Sequence, residues 1–235
     1  MFKLRLAHLL IGVEHRYPYM KDFCAGYISD DPAAPAFTVC AAEDECLREQ
    51  AASPVPVTLP YCESICLYRR IALELLAYDA LLIHAAAIEM DGRCVLFAAG
   101  SGTGKTTHIR LWQDAFGERV RVIYGDKPIL RFLGGRPHVF GTPFRGKEQL
   151  GSNISAPVHA LCFLTRGETN HVEPLTPSQA LDRIVHQLLI PTDAAQMDRF
   201  MTLVERLLTK VDCFLLHCNT EPEAAVVAYE GMKGL

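Results

Sequence analysis

The sequence predicts an α/β protein, in which helices flank a mixed sheet that contains a phosphate-binding loop (P-loop) and a small β-rich unit precedes this sheet. Two observations predict this class. Runs typical of strands and amphipathic helical segments follow one another from residue 61 onward. A glycine-rich segment, AGSGTGKTT at residues 99–107, falls between a predicted strand and a predicted helix. We expect a β or irregular unit at residues 1–60 and a nucleotide-binding domain at residues 61–235.

The composition is that of an ordinary folded chain. Its 235 residues are 50% apolar and 21% charged, proportions that are typical of globular proteins. The net charge of −4 gives no overall electrostatic reason to bind nucleic acid or an anionic membrane, so we expect neither partner. No spanning helix is expected either, because Asp79 and His84 interrupt the most apolar stretch.

Cysteine usage favours a reducing compartment. The nine cysteines are scattered without the dense spacing of a disulfide framework, so we expect a cytoplasmic protein. Residues 2–13 have a basic start and a short apolar run, but they lack the small-residue cleavage site of a signal peptide. Cys62 and Cys66 would share one helix face as a metal or redox pair requires, yet core packing is the favoured interpretation, since no second Cys or His pair lies nearby.

The N-terminal unit is expected to be mostly β or irregular. Strand-like runs at residues 2–13 and 37–41 are separated by Asp30-Asp31-Pro32, and prolines 54, 56 and 60 follow. Apolar residues then recur at intervals of three and four from residue 63 to residue 81, which predicts a helix that joins the two units.

A hairpin is predicted immediately before the glycine-rich segment. The apolar runs at residues 81–88 and 94–98 flank Asp91-Gly92, and both turn residues tolerate positive φ. Residues 105–115 are predicted to form a helix, and further strands are expected at residues 120–124, 129–132, 138–140, 158–164 and 213–216. Capping signals at Thr176 with Gln179, and at Thr220 with Glu223, predict helices through residues 189 and 232, with another helix at residues 197–208 between them.

Residues 99–107, which we call the glycine loop, have the chemistry of a phosphate cradle. Backbone N–H groups in such a loop converge on phosphate oxygens, and the following helix adds partial positive charge. Lys105 is expected to reach the β- and γ-phosphates, and the Thr106 hydroxyl to ligate Mg²⁺, although Ala99 replaces the first glycine of the strict Walker A pattern. The predicted nucleotide-binding residues are Gly100, Ser101, Gly102, Thr103, Gly104, Lys105, Thr106 and Thr107.

Three residues outside the glycine loop are candidates for the same site. Asp126 follows a predicted strand and either holds Mg²⁺, takes a proton from an acceptor hydroxyl, or simply forms a turn. His84 lies in an apolar run and is either a site residue or a core histidine. Arg145 lies in a loop at residues 141–148 that either holds phosphate oxygens or an acceptor, or is merely solvated.

Residues 83–127 resemble the nucleotide core shared by HPr kinase/phosphorylase and ATP-dependent phosphoenolpyruvate carboxykinase. His84 after an apolar strand, the hairpin, the glycine loop and a strand followed by Asp126 occur in the same order. The resemblance implies that Lys105 and Thr106 bind phosphate and metal, that Asp126 is a base or metal ligand, and that His84 lines the site. The chain departs from these families at Gly125, where they have a second acid. It also lacks the segment Glu-Ile-Arg-Gly-Leu-Gly of HPr kinase/phosphorylase.

These features lead to the hypothesis of an ATP- and Mg²⁺-dependent kinase. It would move the γ-phosphoryl group to a hydroxyl of a small protein, peptide or metabolite, with Asp126, Lys105, His84 and Arg145 as the catalytic group. A nucleotide-binding regulatory module and a plain NTPase remain alternatives. The sequence also leaves open the choice between ATP and GTP, and whether the protein is a homo-oligomer.

Overall fold

The computed structural model describes residues 1–144 and 150–232. The strands within these ranges are β1 (Phe2–Leu6), β2 (Leu9–Val13), β3 (Phe37–Val39), β4 (Ala80–Leu82), β5 (Ala85–Met90), β6 (Arg93–Ala98), β7 (Val120–Tyr124), β8 (Ile129–Leu133), β9 (Arg136–Phe140), β10 (Ser155–Arg166), β11 (His171–Leu175) and β12 (Asp212–Cys218). The α-helices are α1 (Tyr19–Phe23), α2 (Glu43–Ala52), α3 (Leu59–Glu74), α4 (Lys105–Phe116), α5 (Pro177–Ile184), α6 (Ala194–Lys210) and α7 (Glu223–Gly231).

Nine strands form one mixed sheet in the order β4-β8-β9-β10-β6-β5-β7, with β12 paired to β10 and β11 paired to β12. Strand β10 is parallel to both β6 and β12, whereas β5 is antiparallel to both β6 and β7. The C-terminal ends of β6, β7, β10 and β12 therefore meet the N-terminal end of β5 at one edge. Strands β1, β2 and β3 form a separate small sheet. The predicted α/β class, with a mixed sheet and a small separate sheet, is confirmed.

Helices cover both faces of the central part of the large sheet. Alternate residues of β5 and β6 pack on one side against α5 and α6, and on the other side against α4 and α7. Every residue of β5 is buried as a result, which explains why this strand is almost continuously apolar instead of alternating.

The small sheet shares a hydrophobic cluster with the rest of the chain. Its buried residues pack with those of α3, and the same cluster includes Ile129 and Phe140 of the large sheet. Buried Glu63 of α3 adds a polar connection, because its carboxylate accepts from the backbone N–H groups of Arg16 (2.6 Å) and Tyr17 (3.3 Å). The division into two units at residue 60 stays a prediction.

The predicted hairpin is confirmed. Strands β5 and β6 pair from Ala85 opposite Ala98 to Met90 opposite Arg93. The two turn residues, Asp91 and Gly92, have φ values of 53° and 82°, which matches the tight turn that their sequence predicts.

Replacing Gly92 should test whether this turn requires a residue that readily adopts positive φ. A Cβ at this position meets no heavy atom within 4 Å, so Gly92→Ala adds conformational strain without a clash. We expect the free energy of unfolding to fall by about 1 kcal/mol, measured by urea denaturation. Gly26→Ala is the matched control, because Gly26 also has free space but no positive φ. Equal effects of the two substitutions would contradict the proposed origin of the strain.

The apolar run at residues 81–88, predicted as one strand, is two strands. Strand β4 pairs with β8 and strand β5 pairs with β6 and β7, and the chain crosses between them at Ile83 and His84. His84 is therefore in the crossing segment and not in an apolar strand. The prediction was wrong because both strands are buried and no turn residue marks the break.

Several helix boundaries also differ from the predictions. Helix α3 begins at Leu59 after the capping residue Thr58, since Pro60 is tolerated in the first helical turn. Helix α5 has the predicted cap but ends at Ile184, so Leu188 and Leu189 lie outside it. Helix α7 follows Pro222 without a side-chain cap from Thr220. Helix α2 and strand β11 were not predicted.

Seven of the nine cysteines are buried, whereas Cys40 is exposed and Cys218 is partly buried. All nine are free, and both Cys62 and Cys66 are buried on α3, in agreement with the packing interpretation. Among the residues that the structure describes, no helix combines the length and the apolar character needed to cross a membrane.

Candidate functional site

The glycine loop joins β6 to α4, as the sequence predicts. Gly102 and Gly104 have φ values of 76° and 121°, which L side chains rarely adopt. The N–H of Thr103 donates to the carbonyl of Gly100 (3.3 Å) and tightens the loop. The first N–H groups of α4 have no partner within the helix and are directed at the space beyond its N-terminus. This backbone could therefore donate to an anion.

Lys105 bends back over the glycine loop. Its Nζ donates to the carbonyl oxygens of Ala99 (2.8 Å) and Gly100 (3.5 Å) and lies 3.1 Å from Nε2 of His84. Burial lowers the pKa of Lys105, and the nearby carboxylate of Asp126 partly opposes this effect. The amine is therefore held near the loop and can exchange a carbonyl partner for a phosphate oxygen.

His84 lies between Lys105 and Asp126. Its backbone N–H donates to the carbonyl of Gln187 (2.6 Å), which fixes the segment between β4 and β5. Its Nε2 is 3.1 Å from Nζ of Lys105 and 3.3 Å from Oδ1 of Asp126. A single ring nitrogen either accepts or donates, so Nε2 bonds to Lys105 when it lacks a proton and to Asp126 when it carries one. The presence or absence of one proton on Nε2 thus decides whether His84 bonds to Asp126 or to Lys105.

Asp126 follows β7 and faces the same edge of the sheet. Its Oδ2 accepts from Nζ of Lys127 at 3.0 Å. Burial alone would raise the pKa of this carboxyl, but the hydrogen bond from His84 and the charge of Lys127 outweigh burial and lower the pKa to about 2. The carboxylate is ionised at neutral pH, so it is able to bind a cation or accept a proton.

The packing of Leu150 explains the glycine that precedes Asp126. The N–H of Gly125 donates to the carbonyl of Leu150 (3.1 Å), and a Cβ at residue 125 would lie 2.9 Å from Cβ of Leu150. A second acidic side chain next to Asp126 would therefore require Leu150 to move.

Arg166 is a site residue that sequence reasoning missed. It ends β10, and its Nη2 donates to the carbonyl of Gly102 (2.8 Å). It also lines a cleft of about 350 Å³ between the glycine loop and the ends of β10 and β12, together with Asn219 and Thr220. Only the parallel pairing of β10 with β6 and β12 could have indicated this role, since it brings the C-terminal ends of these strands together at one edge.

A second cleft, of about 390 Å³, opens on the Asp126 side. Phe144 stacks on the ring of Tyr68 with centroids 4.2 Å apart, and the Tyr68 hydroxyl donates to the carbonyl of Lys127. The residues that line this cleft are Phe23, Glu49, Tyr61, Ser64, Ile65, Tyr68, Arg69, Leu82, Asp126, Lys127, Phe144 and Leu189. The predicted N-terminal unit contributes Phe23 and Glu49, so the cleft combines residues from both predicted units.

The predicted candidates thus differ in how they are placed. Lys105, His84 and Asp126 come together within hydrogen-bond distance. Thr106 is partly buried in the first turn of α4. Arg145 lies outside the described residues.

Comparison with known proteins shows a distant likeness in structure. No protein family and no curated protein matches the sequence. A solved structure that matches is the HPr(Ser) kinase/phosphatase from Coxiella burnetii, with 12% sequence identity and a TM-score of 0.36. The match covers 63% of this chain and 93% of that chain. A likeness this distant supports no statement about activity, so any functional conclusion depends on the site itself.

Proposed function

We propose that the protein is an ATP- and Mg²⁺-dependent kinase that transfers the γ-phosphoryl group to a hydroxyl, as a divergent member of the HPr kinase/phosphorylase-like group. One observation supports this most strongly. Nε2 of His84 lies within hydrogen-bond distance of both Lys105 and Asp126, at 3.1 Å and 3.3 Å, beside the glycine loop. This arrangement combines a cation that can bind phosphate, Lys105, with a carboxylate that can bind a metal ion or accept a proton, Asp126. The imidazole of His84 lies between them.

The donors and acceptors present fit a nucleotide with its metal ion. Backbone N–H groups of the glycine loop and Lys105 would hold the phosphates, and Thr106 would ligate Mg²⁺. Asp126 would either ligate the same ion or serve as the base. The ion supplies charge neutralisation on the phosphate oxygens when it is bound. Arg166, already bonded to the carbonyl of Gly102, would restrain the loop near the phosphates.

Transfer to a hydroxyl requires an acceptor on the other side of Asp126. A bond forms between the acceptor oxygen and the γ-phosphorus, the bond to the bridging oxygen of ADP breaks, and the acceptor proton passes to Asp126 where this carboxylate serves as the base. The cleft beside Asp126 is large enough for a side chain or small molecule, and its aromatic residues offer an apolar wall. This cleft favours transfer over hydrolysis, for which water alone would suffice.

Nucleotide binding should depend on Lys105. A charge-assisted hydrogen bond is worth about 1.5–3 kcal/mol, so Lys105→Ala should weaken binding of Mg²⁺-ATP by roughly tenfold to a hundredfold in calorimetry. Lys210→Ala, at the exposed C-terminal end of α6, should bind as the wild type does. A folded wild-type protein that binds neither ATP nor GTP would contradict the proposal.

The products distinguish kinase activity from the alternatives. Incubation with γ-labelled ATP and candidate hydroxyl compounds should transfer the label to an acceptor. Release of labelled phosphate without an acceptor would indicate an NTPase. Tight nucleotide binding without any ADP formation would instead indicate a regulatory module.

A further inference from the structure

A cluster of two histidines and one glutamate lies on neighbouring strands, apart from the site described above. His171 and Glu173 are on β11, and His217 is on β12 directly opposite His171. Oε1 of Glu173 lies 3.3 Å from Nε2 of His171 and 3.8 Å from Nε2 of His217. Within the described ranges, this is the group of three potential ligands whose donor atoms all lie within 4.8 Å of one another.

The strand geometry explains why the three side chains meet. Residues two apart in a strand point to the same face, so His171 and Glu173 share a face, and cross-strand pairing adds His217 to it. Leu175 and Leu215, which alternate in the same way, pack with the helices α5 and α6. The cluster therefore lies on the sheet face opposite α4 and α7.

We propose that His171, Glu173 and His217 bind a divalent transition-metal ion such as Zn²⁺. Ligands at about 2.0–2.2 Å from a tetrahedral zinc lie about 3.3–3.6 Å apart, close to the spacing of Glu173 from the two imidazoles. Two imidazoles and one carboxylate suit zinc and its neighbours, whereas Mg²⁺ and Ca²⁺ prefer oxygen ligands alone. Three protein ligands leave one position for water.

The two imidazole rings require a modest adjustment to bind an ion. They are stacked with centroids 4.3 Å apart and planes 7° from parallel, and a shared ion needs their in-plane lone pairs to converge. The cluster is accessible, with His171 and Glu173 about half exposed at 49% and 54%, so the rings have room to rotate. The three potential ligand atoms already lie within 4.8 Å of one another in this arrangement.

Binding of the ion would also connect the outer strand β11 to its neighbour β12. In the part of the chain that the structure describes, β11 pairs with β12 alone, and its residues are exposed or partly exposed throughout. An ion held by both strands would stabilise the native state over the unfolded chain, in which the ligands are not brought together.

Calorimetry with Zn²⁺ alone would test the site. The full chain with Cys40→Ser should be used, because Cys40 is an exposed thiol that could compete for zinc. We expect one equivalent of Zn²⁺ to bind and to raise the thermal midpoint. His217→Gln and Glu173→Gln in this background should each weaken binding by about tenfold or more.

His138→Gln is the matched control, since His138 also lies partly exposed on a strand and is outside the cluster; it should leave zinc binding unchanged. Circular dichroism checks that each variant is folded, and Glu173→Gln preserves the shape of the side chain if His217→Gln does not fold. A folded Cys40→Ser protein that binds no zinc, or equal affinities of the cluster variants and the His138 control, would overturn the proposal.

Discussion

Asp126→Asn should lower kcat for phosphoryl transfer by about 10²–10⁴-fold if Asp126 accepts the proton of the hydroxyl. Asparagine keeps the size of the side chain and a hydrogen-bond acceptor, but it cannot take up that proton. Binding of Mg²⁺-ATP should then remain close to that of the wild type in calorimetry. If Asp126 instead ligates Mg²⁺, the loss should appear as weaker Mg²⁺-dependent binding of ATP.

The control for this substitution is Asp114→Asn on the exposed side of α4, which should leave both kcat and binding unchanged. The pKa of Asp126 is lowered from 3.8 to about 2, so its negative charge persists at neutral pH. The stabilisation from its partners is complete above about pH 4 and is lost as the pH falls through about 2. Unchanged transfer and unchanged binding in Asp126→Asn would exclude both roles.

Trp112→Ala should cause the largest loss of stability, about 3–5 kcal/mol in the free energy of unfolding. Trp112 is completely buried in α4, between Phe97 and Phe116, with ring centroids at 5.6 Å and 5.2 Å. Its Nε1 donates to Nε2 of His108 (3.0 Å), and burial lowers the pKa of His108 to about 4. Removal of the indole therefore leaves both a cavity and a buried neutral imidazole that has lost this donor.

Urea denaturation would measure this loss. Trp112→Phe, which fills more of the space but removes the N–H donor, should cost less than Trp112→Ala. Leu47→Ala on α2 is a suitable surface control, since Leu47 is 48% exposed and its truncation should change stability by no more than about 0.5 kcal/mol. A loss below about 1 kcal/mol for Trp112→Ala would show that α4 does not depend on this contact.

The sequence predicted best the features that depend on a few neighbouring residues. The turn at Asp91-Gly92, the cap formed by Thr176 and Gln179, and the strand–loop–helix order around Lys105 all agree with the structure. Each depends on local backbone chemistry, so no distant contact was needed to predict it.

Features that depend on distant pairing were missed. The break at His84 exists because β4 pairs with β8 while β5 pairs with β6, and both strands are apolar. Strand β11 contains Pro174, which weakens a strand signal, and its place in the sheet comes from its pairing with the distant strand β12. Arg166 was missed for the same reason, since only the position of β10 next to β6 brings it to the glycine loop.

The hairpin that delivers His84 and the glycine loop has a mechanical consequence. Its turn at Asp91-Gly92 is six strand residues, or about 20 Å, away from His84 and the glycine loop. Strand β5 begins next to His84 and strand β6 ends next to Ala99, with Ala85 opposite Ala98. A slip of the pairing by one residue would turn the side chains of β5 to the opposite face and carry His84 away from Lys105. The length of the turn at Asp91-Gly92 therefore fixes the register of β5 and β6, and through it the position of His84 relative to Lys105 at the other end of the hairpin.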